Sequence, residues 1–117
     1  MDNKAFSKEL ELRTRNFAVR IIRLSSLLPS TSESKVIKNQ ITKVGTSIGA
    51  NYREANRSRS KADFKSRIKI CESEASETQY WLQIIMDTRW LPEKTLAPIA
   101  HECSELLAIF TSIGKKM

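Results

Sequence analysis

The strongest constraint on the fold is an apolar pattern that alternates in steps of four and three through residues 64–85. Its members are Phe64, Ile68, Cys71, Ala75, Thr78, Leu82 and Ile85. Because an α-helix turns once in about 3.6 residues, these side chains share one helix face over roughly three heptads. Trp90, Leu91 and Pro92 close the helix. A face of this length needs other helices to cover it, so the pattern predicts a helical bundle.

Three further stretches repeat this helical spacing. The first contains Leu10, Phe17, Ile21, Leu24 and Leu28; the second contains Ile37, Ile41, Val44, Ile48 and Tyr52 or Ala55; the last contains Leu96, Ile99, Cys103, Leu106, Phe110 and Ile113. Pro29 and Gly114 mark helix ends, and a start after Thr95 leaves Pro98 in a first turn. With short connections and no strand candidate, the sequence predicts an all-α, antiparallel up-and-down four-helix bundle, with residues 1–117 as one domain.

Helix starts are marked by small polar residues. Ser30 and Glu33 have the spacing of a capping box, and Ser32 is an alternative cap for the same helix. Ser60 is the predicted cap of the third helix, where the apolar pattern restarts after a basic stretch. These residues predict a corner between the second and third helices.

Gly45 and Gly49 lie one turn apart within the second helical pattern. Each destabilises a helix by about 1 kcal/mol relative to Ala, which predicts close approach of a neighbouring helix. The spacing also occurs in membrane-helix dimers, but a bilayer span is implausible beside the polar residues Lys38, Lys43, Asn51 and Arg53.

The composition indicates a small soluble protein. The chain has 117 residues, of which 40% are hydrophobic, and a net charge of +7. No apolar run approaches the roughly 20 residues of a membrane helix, and the first residues lack a secretory signal pattern, so we expect a cytoplasmic protein. Cys71 and Cys103 fall on apolar faces and are expected to be buried thiols.

The sequence contains no pattern that predicts catalysis. A di-iron bundle needs two Glu-x-x-His motifs, but His101 is the single histidine. No nucleophile elbow, phosphate-binding glycine loop or zinc spacing is present. Glu72, Glu74 and Glu77 are predicted to lie on a solvated face. We therefore expect a non-enzymatic protein with no catalytic residue, no metal site and no cofactor.

The charge is unevenly distributed along the chain. Residues 51–69 carry seven basic side chains against Glu54 and Asp63, whereas residues 72–90 carry four acids against Arg89. The predicted nucleic-acid contacts are Arg53, Arg57, Arg59, Lys61, Lys65 and Lys69, with a looser stripe of Arg13, Arg20 and Arg23 on the first helix. Such a surface binds phosphates in a salt-dependent way; the alternative is a solvated face that maintains solubility.

Tyr80, Trp81 and Ile84 lie off the main stripe of the third helix. They predict a second apolar face that is left near solvent within one bundle, and such faces often form protein interfaces. We therefore expect these residues to form an oligomer interface.

Three blocks carry a family resemblance. Residues 46–57 (TSIGANYREANR), 60–64 (SKADF) and 77–82 (ETQYWL) resemble, in order and spacing, the bacterial 23S ribosomal RNA intervening-sequence protein family, whose members are called four-helix-bundle proteins. Many members have Ile-Ala-Glu-Gly where this chain has Tyr-Arg-Glu-Ala at residues 52–55.

The resemblance implies a four-helix bundle that assembles into a ring-like homopentamer. It also implies similarity to the accessory variability proteins of diversity-generating retroelements, which act beside a reverse transcriptase and its template RNA. It supplies no catalytic residues. We therefore expect the protein to bind RNA and to act with a reverse transcriptase. The alternative is a protein-protein interaction scaffold without a specific nucleic-acid ligand.

Overall fold

The computed structural model describes residues 3–117, and these residues form four α-helices without a strand. The helices are α1 (Asn3–Ser25), α2 (Ser32–Ala55), α3 (Lys61–Thr88) and α4 (Glu93–Lys115). The molecule measures 44 × 25 × 21 Å, so it is elongated along the helices. The predicted all-α four-helix architecture is confirmed.

Contacts between helix ends show the antiparallel arrangement. The side-chain amide of Asn56, just after α2, donates to Glu11 near the start of α1 at 2.9 Å. Tyr52 near the end of α2 meets Phe110 near the end of α4, with ring centroids 5.5 Å apart. The start of α1, the end of α2, the start of α3 and the end of α4 therefore lie together, and we call this the corner end.

The four predicted stripes form the core. The buried apolar residues include Leu10, Phe17, Ile21, Leu24, Ile41, Val44, Ile48, Tyr52, Ala55, Ile68, Cys71, Ala75, Leu82, Ile85, Leu96, Cys103, Leu106 and Phe110. Ile37, Phe64 and Ile113 are partly buried at its margin. Both cysteines are buried free thiols, as predicted. Of the neighbouring helix pairs, α1 and α4 make the fewest contacts, so the α1–α4 seam is the weakest side of the bundle.

Two helix starts differ in how well they were predicted. Thr31 caps α2: its hydroxyl accepts a hydrogen bond from the backbone N–H of Ser34 at 3.1 Å, so the prediction of Ser30 or Ser32 is wrong by one residue. Ser60 caps α3 as predicted, with its hydroxyl accepting from the third helical residue at 3.0 Å.

The start of α4 also differs from the prediction. The helix starts at Glu93, before the predicted start after Thr95, so Pro98 lies beyond its first turn. Pro98 is exposed, so its ring faces away from the core. The preceding helix ends at Thr88, where Arg89 adopts a left-handed conformation with φ of 58°. That conformation turns the chain before proline is reached.

The close helix approach predicted from the glycines occurs between α1 and α2. A Cβ atom on Gly45 would lie 2.9 Å from both γ-carbons of Ile21, and one on Gly49 would lie 3.0 Å from the hydroxyl oxygen of Thr14. The glycines thus let α1 lie directly against the α2 backbone. None of the helices within residues 3–117 is long and apolar enough to span a membrane.

Candidate nucleic-acid interface

The corner end carries a group of exposed cations. Arg53 ends the exposed face of α2, Arg57 and Arg59 lie in the α2–α3 connection, and Lys61 begins α3; all four are exposed. Lys65, one turn further along α3, is partly buried. None of the five forms an ion pair within residues 3–117, whose pairs involve other cations. Their charge is therefore available to a ligand.

The fold adds cations that the sequence did not associate with this site. Lys4 and Lys8 belong to the first turns of α1, and Lys115 and Lys116 lie at the end of α4; all four are exposed. The antiparallel order brings both pairs to the corner end. They were missed because they are far from residues 51–69 in sequence, although the alternation of helix directions was a signal that could have grouped them.

A groove of about 640 Å³ runs between α1 and α2 beside the corner end. Its basic lining residues are Lys8, Arg15, Arg53 and Arg57, and its one acidic lining residue is Glu11. Gly49 and Ala50 also line it, and their small size leaves the space open. Four cations against one carboxylate give the groove a net positive charge, and Glu11 also accepts a hydrogen bond from the Asn56 amide.

Arg13 does not join this cationic surface. Its Nε and Nη2 atoms each donate to a carboxylate oxygen of Glu102 at 2.7 Å, and Nη2 also donates to Glu105. The hydrogen bond to Glu102 raises the pKa of Arg13 above its ordinary value, against the opposing effect of burial. Arg13 therefore links α1 to α4, and its predicted role as a phosphate contact has no geometric support.

The remaining predicted cations lie away from the corner end. Arg23 is near the far end of α1, which at 1.5 Å per residue is about 30 Å from the helix start. Arg20 is partly buried in the same half of that helix. Lys69 is exposed beside a depression that also contains Glu72 and Glu77. Of the nine predicted contacts, five thus lie together at the corner end and three lie elsewhere. The ninth, Arg13, is paired with carboxylates of α4.

The acidic part of α3 makes structural contacts. Glu72 accepts a hydrogen bond from the Thr111 hydroxyl at 2.5 Å, and Glu77 accepts one from the indole N–H of Trp81 at 3.2 Å. Partial burial raises the pKa of Glu74, and the nearby Glu77 raises it further. Within residues 3–117, no cluster of three or more His, Cys, Asp or Glu side chains could hold a metal ion.

The predicted oligomer interface is only partly exposed. Tyr80 is 58% exposed and meets Trp81 edge to face, with centroids 5.0 Å apart. Trp81 packs against the core and Ile84 is partly buried. Trp81 and Ile84 are thus less exposed than expected, because the bundle itself covers part of both side chains, and their role in an oligomer interface stays a prediction.

Other exposed apolar side chains lie on α1. Leu12, Val19 and Ile22 are 48%, 41% and 51% exposed. Their spacings of seven and three place them on one helix face, which we call the outer α1 face. This face is hard to recognise in the sequence because the inward stripe of the same helix has the stronger periodicity.

The chain is similar to known proteins in both sequence and structure. Residues 9–112 match the family model described as 23S rRNA-intervening sequence protein. The chain is also similar to the crystal structure, at 1.70 Å resolution, of a protein of unknown function from the S23 ribosomal protein family of Bacteroides thetaiotaomicron VPI-5482. The two chains are 36% identical with a TM-score of 0.84, and the match covers 90% of this chain and 97% of the other.

No curated protein matches the chain. The family match nevertheless spans all four helices, including the α2–α3 corner with its exposed cations. The sequence blocks that suggested the resemblance lie inside the matched range, at the end of α2 and along α3. The chain therefore belongs to the 23S rRNA-intervening sequence protein family.

Proposed function

We propose that this protein is a non-enzymatic, cytoplasmic RNA-binding protein, and that its corner end binds the phosphates of a structured RNA. The observation that carries the proposal is the concentration there of exposed cations that form no ion pair within residues 3–117, above all Arg57, Arg59 and Lys61. The family name refers to intervening sequences of 23S ribosomal RNA, which is consistent with an RNA ligand.

The geometry of the corner suits phosphate binding. Ser60 uses its hydroxyl to cap α3, which fixes the direction of the helix behind the loop. Free N–H groups in the first turn of a helix favour anions. Lys61 adds a positive charge there, and Asp63 in the same turn is paired with Arg67. Arg53 and Arg57 extend the positive surface into the α1–α2 groove. An RNA backbone can therefore follow the groove towards the corner.

A charge-reversal experiment tests the proposal. The triple variant Arg57→Glu, Arg59→Glu and Lys61→Glu should bind a structured RNA at least tenfold more weakly, because three phosphate contacts become repulsive. The slope of log affinity against log salt should become shallower by about two to three. Affinity is measured by fluorescence anisotropy across a salt series.

The matched control reverses the same amount of charge at the opposite end of the bundle. Lys35→Glu, Lys38→Glu and Lys94→Glu lie near the starts of α2 and α4, away from the corner end. This variant should retain most of the RNA affinity. Equal losses in the two triple variants would indicate a general effect of net charge and contradict the proposal.

We also propose that the protein acts as a ring of five copies and serves as an accessory factor to a reverse transcriptase. The support is the resemblance to the accessory proteins of diversity-generating retroelements. Five corner ends in one ring would raise the overall affinity for a long RNA without a stronger individual contact. Mass measurement in solution tests the pentamer, and co-purification with the reverse transcriptase of a neighbouring gene tests the partnership.

A protein-protein interaction scaffold is the second candidate function. The outer α1 face supports it, because three large apolar side chains there are each about half exposed. Substituting Val19→Glu would weaken a protein complex through this face while leaving RNA affinity unchanged. Loss of partner binding without any RNA binding by the unmodified protein would favour the scaffold function.

A further inference from the structure

A second opening at the corner end differs from the α1–α2 groove in its chemistry. It lies between the start of α1 and the end of α4 and has a volume of about 730 Å³. Its larger lining side chains are Phe6, Tyr52, Phe64, Ile109, Ile113 and Met117. An apolar pocket of this size with a few polar groups has the properties of a small-ligand site.

Tyr52 contributes a hydroxyl group to this pocket from a ring that is itself buried. The residue is only 2% exposed, and its ring meets Phe110 edge to face. Within residues 3–117 the Ser34 hydroxyl is the one buried side-chain polar atom without a partner, so the Tyr52 hydroxyl, which has no protein partner there either, reaches the open space of the pocket. Since Tyr52 lines the pocket, a bound molecule can hydrogen-bond to this hydroxyl in place of water.

Further hydrogen-bonding groups surround the same space. The Asn56 side chain donates through its nitrogen to Glu11, which leaves its carbonyl oxygen as an acceptor. Ser7 and Ser112 also line the pocket, and their hydroxyls have no partner within residues 3–117. Phe6 is 39% exposed and offers an aromatic surface at the entrance. The pocket thus combines apolar walls with several polar groups at separate positions.

The charge around the pocket is positive. Lys116 is one of its lining residues. An adjoining depression shares Asn56 and Phe64 with the pocket and contains Arg59 and Lys61. Among residues 3–117, no acidic side chain lines either space. A ligand that is flat, apolar on its faces, polar on its edges and attached to an anion matches all of these features.

We propose that the pocket receives one unstacked base of the bound RNA, while Arg59 and Lys61 hold the adjacent phosphates. This inference rests on the proposed RNA-binding function and adds a recognition element for single-stranded loops. Phe6 would stack on the base, and the Tyr52 hydroxyl would hydrogen-bond to its edge. Stacking of bases on aromatic side chains and hydrogen bonding to their edges are general features of single-stranded RNA recognition.

The test compares two hairpin RNAs that differ only in the loop. One has ordinary loop nucleotides; the other has abasic loop residues, which keep the phosphates and remove the bases. The unmodified protein should prefer the ordinary hairpin by about tenfold, which corresponds to stacking of one base. Equal binding to both hairpins would overturn the pocket inference and leave the proposed phosphate contacts intact.

Two pairs of variants test whether the pocket is responsible for the preference for the ordinary loop. Tyr52→Phe removes the unpartnered hydroxyl, and Tyr80→Phe makes the same chemical change at an exposed site outside the pocket. Ser112→Leu narrows the pocket, and Ser104→Leu is the same change outside the pocket on the same helix, where it removes only a hydrogen bond donated by the exposed Gln79. The two pocket variants should each lower the preference for the ordinary loop about two- to tenfold, whereas the controls should retain it.

The outcomes separate the two proposals. Unchanged loop preference in both pocket variants would overturn the pocket inference, even if the charge-reversal variant lost RNA affinity. Failure of the unmodified protein to bind either hairpin would refute the proposed function, and the pocket inference would fail with it. Circular dichroism of each variant confirms that any loss of preference occurs in a folded bundle.

Discussion

The packing of Gly45 allows a quantitative prediction for Gly45→Ala. The new methyl group would lie 2.9 Å from both γ-carbons of Ile21 and 3.3 Å from its β-carbon. Ile21 is fully buried, and a β-branched side chain in a helix has one strongly preferred rotamer, so it cannot rotate away. The methyl group must therefore push α1 away from α2.

Two opposing effects determine the size of the change. Replacing Gly by Ala inside a helix stabilises it by up to about 1 kcal/mol, whereas inserting a methyl group into a packed core destabilises by about 1–3 kcal/mol. Because the new methyl group would approach Ile21 to 2.9 Å, we take a destabilisation by overpacking near the middle of that range. After subtraction of the gain in helix propensity, the free energy of unfolding should fall by about 1 kcal/mol. For a chain of 117 residues this lowers Tm by about 4 °C.

Gly114→Ala is the matched control. A Cβ atom there would meet only a methyl carbon of Ile68 at 4.0 Å, an ordinary contact. The variant should therefore be stabilised by a few tenths of a kcal/mol through helix propensity alone. Urea unfolding followed by circular dichroism, at one protein concentration for all variants, gives the comparison. Equal or greater stability of Gly45→Ala than of Gly114→Ala would refute the packing argument.

Three further predictions concern polar and thiol groups. Arg13→Met should lower the free energy of unfolding by about 1 kcal/mol through loss of the paired hydrogen bonds to Glu102, and urea midpoints at low and high salt should show a smaller loss at high salt. Ser34→Ala should leave stability unchanged or raise it by up to about 1 kcal/mol, as measured by thermal unfolding, because the buried hydroxyl has no partner within residues 3–117. Burial raises the pKa values of Cys71 and Cys103 to about 12, so at pH 8 roughly one thiol in ten thousand is ionised. Alkylation should therefore be slow until urea unfolds the chain, and raising the pH towards 12 should accelerate it; rapid labelling of a folded sample at pH 8 would contradict this.

The sequence predicted the core well because helical periodicity is a local property. The alternation that includes Ile68 and Leu82 needs only the pitch of a helix to indicate which side is buried. The α2–α3 corner could be predicted for the same reason, because Ser60 caps a helix directly after a basic loop. Capping and apolar spacing act over a few residues, so they can be read without knowledge of the neighbouring helices.

Properties that depend on the relative rotation of helices could not be predicted in this way. Arg13 had the appearance of a free cation, but its carboxylate partners lie on α4, far away in sequence. Trp81 lay off the main stripe, but it is partly buried because neighbouring helices cover more than one face of α3. The grouping of Lys8 and Lys116 at the corner end likewise depends on the antiparallel order. The sequence therefore predicted the cations of the α2–α3 corner but not those that α1 and α4 add to it.

The weak α1–α4 seam has a consequence for motion. Residues 3–117 contain one set of hydrogen-bonded ion pairs across this seam, centred on Arg13, whereas α2 is packed closely against α1 along its glycines. Transient separation of α4 from α1 should therefore require less free energy than separation of α1 from α2, and regions that open locally exchange amide hydrogens with solvent sooner. Such breathing would widen the space beside Phe6 and Ile113 while the rest of the bundle stays closed. The flexibility needed to admit a bulky ligand at one end can thus coexist with a rigid scaffold behind it.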